Sequence, residues 1–234
     1  MRKKGLFGIL TAIIALLIFS GSVLAADVNL PLAVREALKA RVLIKIFPEN
    51  MPSFENYGSG FVAAPGYVVT AYHLIYNFLG YYGKESLVIE IRSNPEGEPV
   101  LAEIFSENFK KDLLLLKIKN PKDAAKLGPP AKIAEVFPPD GSEVYSSGFT
   151  FSGKFSATFK AFTLGRVGDF PYNGFIVDQV VVIDKMLIPG FSGGPTFNEK
   201  GEVVGMNLAT GSGISIILPV EPIKEILEKI KIKK

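Results

Sequence analysis

The chain has 234 residues, 48% of them hydrophobic, which suits one large domain or two small ones and is too apolar for a disordered chain. Three of its 26 basic residues stand in the first four positions and the other 23 balance 23 acidic residues, so composition offers no basic patch for nucleic acid. It holds no cysteine and one histidine, which excludes a disulfide-stapled scaffold, a cysteine zinc site and a His-rich metal site.

Residues 1–25 open with Arg2, Lys3 and Lys4 and continue as an uncharged apolar run to Ala25. The run ends in Val23-Leu24-Ala25, a small-x-small site, and reads as an export signal cut after Ala25 or Ala26. It is also long enough to span a bilayer as an uncleaved anchor. In both cases the remainder, 26–234, is expected outside the cytoplasm, because the basic flank keeps the N-terminus inside. Membrane contact is expected only through residues 5–25, if they are retained.

Next, LAVREALKA (32–40) predicts a short helix with Pro31 at its start. VLIKIF (42–47) is a strand, and FVA and YVVT are two more, joined by a turn at Ala64-Pro65-Gly66. SLVIEIRS (86–93) and VLAEIFSE (100–107) follow as strands, and KKDLLLLKIKN (110–120) as a buried strand led by an acid. The Pro- and Lys-rich stretch 120–132 reads as a linker between halves at about 42–120 and 133–220. The second half repeats the style of short strands and Gly-rich turns, which suggests barrels or sandwiches. EPIKEILEKIKI (221–232) predicts a helix whose Ile223, Ile226, Leu227 and Ile230 share one face.

Three residues suit nucleophilic catalysis, which needs a hydroxyl on a tight turn, a histidine to take its proton and a carboxylate to orient the imidazole. Ser192 lies in IPGFSGGPTF, whose glycines permit positive φ and close backbone approach. Such a turn can aim the amides of Gly190 and Ser192 at one point, as an oxyanion hole requires. His73, at the end of VVTAYHLI, is the one histidine, so any such mechanism uses it. Asp112 opens DLLLLKI, with Asp178 and Asp184 as rival carboxylates. Taken singly, each has a plain structural reading: a hydrogen-bonded core histidine, a solvated strand end, a Gly-rich hairpin loop.

Taken together, GSGFVAAPGYVVTAYHLI, KDLLLLKI, IDKMLIPGFSGGPTFNEKGEVVGMN and ISIILPVEPIKEIL resemble the trypsin-like (chymotrypsin-fold) serine proteases, and most closely their HtrA/Deg branch. The resemblance covers about 40–232. It implies an all-β fold of two six-stranded antiparallel barrels, with a C-terminal helix and the active site in the cleft between barrels. It makes Asp112 the carboxylate partner, His73 the base and Ser192 the nucleophile, with the amides of Gly190 and Ser192 as the oxyanion hole. Met186 and Leu187 match positions lining the first specificity pocket. Leu208, Ala209 and Thr210 match the strand that pairs with the substrate backbone. The implied partners are polypeptides, and no cofactor or metal is implied.

Phe191 departs from the family, which commonly has aspartate or asparagine there. It cannot pair with a freed N-terminus, so activity is expected not to depend on creating one. With no acid at Met186, small or medium apolar side chains are expected on the acyl side of the cut. The chain ends on its helix, so the PDZ domain usual in the HtrA branch is expected to be absent. The implied function is an exported serine endopeptidase in extracytoplasmic quality control or processing. The alternative is a catalytically silent barrel that binds peptides or partners.

Overall fold

A short helix, α1 (Leu32–Ala37), tightens into a 3₁₀ turn to Ala40 and leads into the first strand. The computed structural model describes residues 29–150, 152–172 and 175–232, and the predicted signal or anchor lies outside them. Everything below belongs to the unit Pro31–Lys234. Among the described residues no helix is long and apolar enough to cross a membrane.

Strands β1 (Arg41–Pro48), β2 (Asn56–Ala64) and β3 (Tyr67–Ala71) precede helix α2 (His73–Leu79). Strands β4 (Leu87–Arg92), β5 (Val100–Asn108) and β6 (Leu113–Ile118) follow it. They close antiparallel in the order β1-β2-β3-β6-β5-β4. The β2–β3 turn falls on Pro65 and Gly66, the latter at φ 79°, as the sequence predicts.

The predicted linker is itself structured. Asn120 accepts the Lys122 amide at 3.2 Å and starts a 3₁₀ segment, Pro121–Leu127, that buries Leu127. Strand β7 (Lys132–Ile133) then joins the second sheet.

That sheet holds β8 (Glu143–Thr150), β9 (Phe155–Tyr172), β10 (Phe175–Ile183), β11 (Pro195–Phe197), β12 (Glu202–Gly211) and β13 (Ile214–Pro219). Its order is β11-β8-β9-β10-β13-β12, and β11 also pairs with β12, so six antiparallel strands form a second closed ring. The short β7 lies parallel on β12. Two six-stranded barrels are therefore present, as expected from the sequence.

Helix α3 (Val220–Ile232) buries Ile223, Ile226 and Ile230. It packs on β12 and β13 of the second barrel and on β5 and β6 of the first. Leu113 to Leu116 of β6 are all fully buried, so this strand is covered on both faces and reads as an unbroken apolar run.

One element differs from the expected short strands. β9 is 18 residues long. Its first part pairs with β8 as far as Phe162, and its second part pairs with β10 from Thr163 onward. The change of partner along one strand sends β9 and β10 beyond the barrel wall as a two-stranded ribbon. The ion pair Lys111–Asp178, at 2.8 Å, ties this ribbon to the first barrel.

Candidate active site

His73 is the first residue of α2, placed where the buried strand β3 ends. Asp112 follows the 3₁₀ turn Phe109–Lys111 and leads into β6, with its backbone in the left-handed region at φ 50° and ψ 43°. Aspartate is among the few non-glycine residues that visit this region readily. β3 and β6 are hydrogen-bonded neighbours, with Ala71 opposite Leu113 and the Tyr72 amide on the Asp112 carbonyl at 3.1 Å, which brings His73, the next residue, to Asp112.

Both oxygens of the fully buried Asp112 are engaged by His73. Oδ1 accepts the His73 backbone amide at 2.7 Å, and Oδ2 lies 2.6 Å from Nδ1. A carboxylate can only accept, so Nδ1 carries the hydrogen and Nε2 is left as the basic nitrogen. The rival acids lie elsewhere. Asp184 accepts the Phe162 amide, and Asp178 pairs with Lys111, whose hydrogen bond and charge hold the Asp178 carboxyl below its ordinary range.

Ser192 sits on the loop from Ile188 to Gly194. The Phe191 amide closes a turn onto the Ile188 carbonyl at 3.2 Å. Pro189 is second in this turn and Gly190, at φ 98°, is third, the arrangement of a type II turn. Every carbonyl along 188–192 has a donor. Beyond Ile188, the Pro189 oxygen accepts from Thr150 Oγ1 (2.8 Å) and the Gly190 oxygen from Ser59 Oγ (2.7 Å). The Phe191 oxygen accepts from the Gly194 amide (2.9 Å) and the Ser192 oxygen from the Ser59 amide (2.8 Å). The amides of Gly190 and Ser192, by contrast, have no acceptor among the described residues.

Peptide planarity turns these carbonyl bonds into a statement about the amides. The C=O and N–H of one peptide point opposite ways. Thr150 therefore fixes the Gly190 N–H away from itself, and Gly194 does the same for the Ser192 N–H. The loop is also pressed against the first barrel. A Cβ at Gly193 would lie 2.2 Å from both the Ser59 carbonyl and the Thr70 hydroxyl, so only glycine fits there.

Phe191, 1% exposed, belongs to the second barrel's core and stacks on Phe159 with ring centroids 5.5 Å apart. The side chain beside the serine is an apolar anchor for the turn. This explains how a large apolar residue is accommodated in a Gly-rich loop.

Beside Ser192 is a recess of about 190 Å³ whose walls include Leu187, Pro189, Leu208, Ala209 and Thr210. Met186 is not among its lining residues, and the residue is 54% exposed. Ser192 Oγ donates to the Leu208 carbonyl at 3.2 Å, so in this conformer its one proton is not directed at His73. Tyr172 also lines the recess and stands edge-on to the His73 ring, with centroids 5.4 Å apart.

Sequence reasoning missed Ser59, Thr150 and Tyr172. Ser59 lies inside the GSGF segment that carries the resemblance, yet no role was visible for it. Thr150 and Tyr172 carry no local signal.

The chain belongs to the trypsin-like peptidase family, whose domain model matches residues 58–206. It is similar to a probable periplasmic serine endoprotease, DegP-like, of Rickettsia prowazekii (strain Madrid E), being 32% identical over 87% of this chain and 37% of the relative. It also matches Protease Do-like 1, chloroplastic, of Arabidopsis thaliana, at 26% identity over 80% of this chain and 47% of that one. The chain thus spans less than half the length of each of these relatives. Among solved structures, the active form of the Rv3671c protease of M. tuberculosis superposes with a TM-score of 0.71 at 21% identity, covering 88% of this chain and 86% of that one. Deg5 superposes with a TM-score of 0.66 at 20% identity, covering 82% and 89% respectively. At those identities the structural likeness bears on the fold alone.

Proposed function

We propose that the protein is an exported serine endopeptidase. Ser192 Oγ attacks a peptide carbonyl while His73 Nε2 takes the hydroxyl proton. The C–N bond then breaks as His73 returns that proton to the leaving amine, and water releases the acyl group by the same sequence. Asp112 holds the Nδ1–H tautomer and steadies the imidazolium. The amides of Gly190 and Ser192 receive the negative oxygen.

The observation that carries this reading is the loop 188–192. All five of its carbonyls are turned onto protein donors, and its Gly190 and Ser192 amides are left for another acceptor. The apolar walls at Leu187, Leu208 and Ala209 favour small or medium apolar side chains on the acyl side of the cut. The substrate backbone is proposed to add along β12 at Leu208–Thr210. Export is supported by the apolar N-terminal run and by the name of the periplasmic relative. Quality control or processing outside the cytoplasm is the proposed role.

A second reading, a catalytically silent peptide-binding barrel, has one observation in its favour: Ser192 Oγ is turned to Leu208. A fluorophosphonate separates the two. Labelling is expected at Ser192 and is expected to vanish in Ser192→Ala. Absence of Ser192-dependent labelling in the folded wild type would leave the silent barrel.

A further inference from the structure

Beyond Met206 the edge of β12 that faces β11 has no strand partner among the described residues, since β11 pairs only as far as Met206. Asn207 is tied to the nucleophile loop, its amide to the Gly194 carbonyl at 2.9 Å and its carbonyl to the Gly193 amide at 2.8 Å. Leu208 falls in a bulge, between Asn207 and Ala209 in the register with β13. Its carbonyl is the first acceptor along the open edge after the loop. An extended peptide that adds to this edge needs that carbonyl for a main-chain N–H.

In this structure the carbonyl is already in use. Tyr172 Oη donates to it at 3.3 Å and Ser192 Oγ at 3.2 Å. Tyr172 belongs to β9, at the far end of the β9–β10 ribbon where it pairs with Phe175. Its ring crosses from the His73 imidazole to β12. Lys111–Asp178 fastens the same ribbon beside Asp112. The side chain is therefore held by an anchored element across the line a peptide must follow to reach Ser192.

We infer that Tyr172 is a built-in competitor for the substrate main chain: its hydroxyl fills the Leu208 carbonyl until an incoming peptide N–H replaces it. This inference rests on the proposed reading of β12 as the substrate strand. It adds a residue from a distant element to the determinants of substrate affinity. Peptides that cannot offer a main-chain N–H at that position, such as those with proline there, gain nothing from displacing Tyr172 and bind less well.

The test is direct binding of an uncleaved peptide, an N-acetylated hexamer of alanine, valine and leucine, to the Ser192→Ala protein with and without Tyr172→Phe. Phenylalanine keeps the ring on His73 and removes only the hydroxyl. The dissociation constant is expected to fall about fivefold in the double variant, the size of one neutral hydrogen bond released from competition. An unchanged or raised constant, or no measurable binding by either protein, overturns the inference. Fluorophosphonate labelling of Ser192 in the wild type reports on catalysis separately. Tighter binding without labelling sinks the peptidase and keeps the competitor, and labelling with unchanged binding does the reverse.

Discussion

At the scale of single residues, the candidate site combines side chains that announce themselves with side chains that do not. Ser192, with its glycines, and Asp112, before four leucines, are legible because their backbone demands are written in adjacent residues. Thr150 is not, since its hydroxyl matters only once the Pro189 carbonyl has been folded against it. That bond selects one face of the Pro189–Gly190 peptide and so directs the Gly190 amide. Thr150→Val keeps the shape and frees the peptide to turn over. It is expected to lower kcat by roughly tenfold to a hundredfold, bounded by the loss of one oxyanion donor. KM should change little, and Thr150→Ser should restore the rate. Steady-state kinetics on a chromogenic peptide checks this, and an undiminished kcat in the valine variant contradicts it.

At the scale of elements, the periodic ones were plain in the sequence. α3 shows its stripe of Ile223, Ile226 and Ile230, and all three are buried. Ile223→Ala is expected to destabilise the protein by about 2–5 kcal/mol through lost burial and the cavity left behind. Urea unfolding measures this, and an unshifted midpoint would mean that the helix contributes no packing. β9 was harder to read. Alternation marks a strand but carries no information on when it exchanges one partner for another, so the ribbon and the reach of Tyr172 stayed hidden. The internal order of the linker is hidden for a related reason. Proline and lysine describe its surface, while its order comes from the burial of Leu127 and from β7 pairing with a strand about seventy residues later.

At the scale of the whole molecule, the barrels are joined where the Ser192 loop sits. Ser59 of β2 donates through its hydroxyl to the Gly190 carbonyl, accepts the Phe149 amide at 2.8 Å, and donates its own amide to the Ser192 carbonyl. Arg41 of β1 adds a 2.6 Å bond to Ser147 and lies over the Phe149 ring. Ser59→Ala leaves the Phe149 amide and the Gly190 carbonyl without this partner. It is expected to cost about 1–3 kcal/mol. Thermal unfolding followed by circular dichroism tests it, and full retention of stability would show that other donors replace the serine hydroxyl.

The placement of α3 bears on the timing of synthesis. Chains emerge from the N-terminus, and domains generally fold in the order in which they appear. Here the first barrel cannot be finished in that order, because β5 and β6 rest against a helix made after the whole second barrel. Until residues 220–232 have been produced and delivered, those strands lack one of their covers. A half-made chain therefore exposes apolar surface on β5 and β6, and has no completed cleft between barrels, until that helix docks.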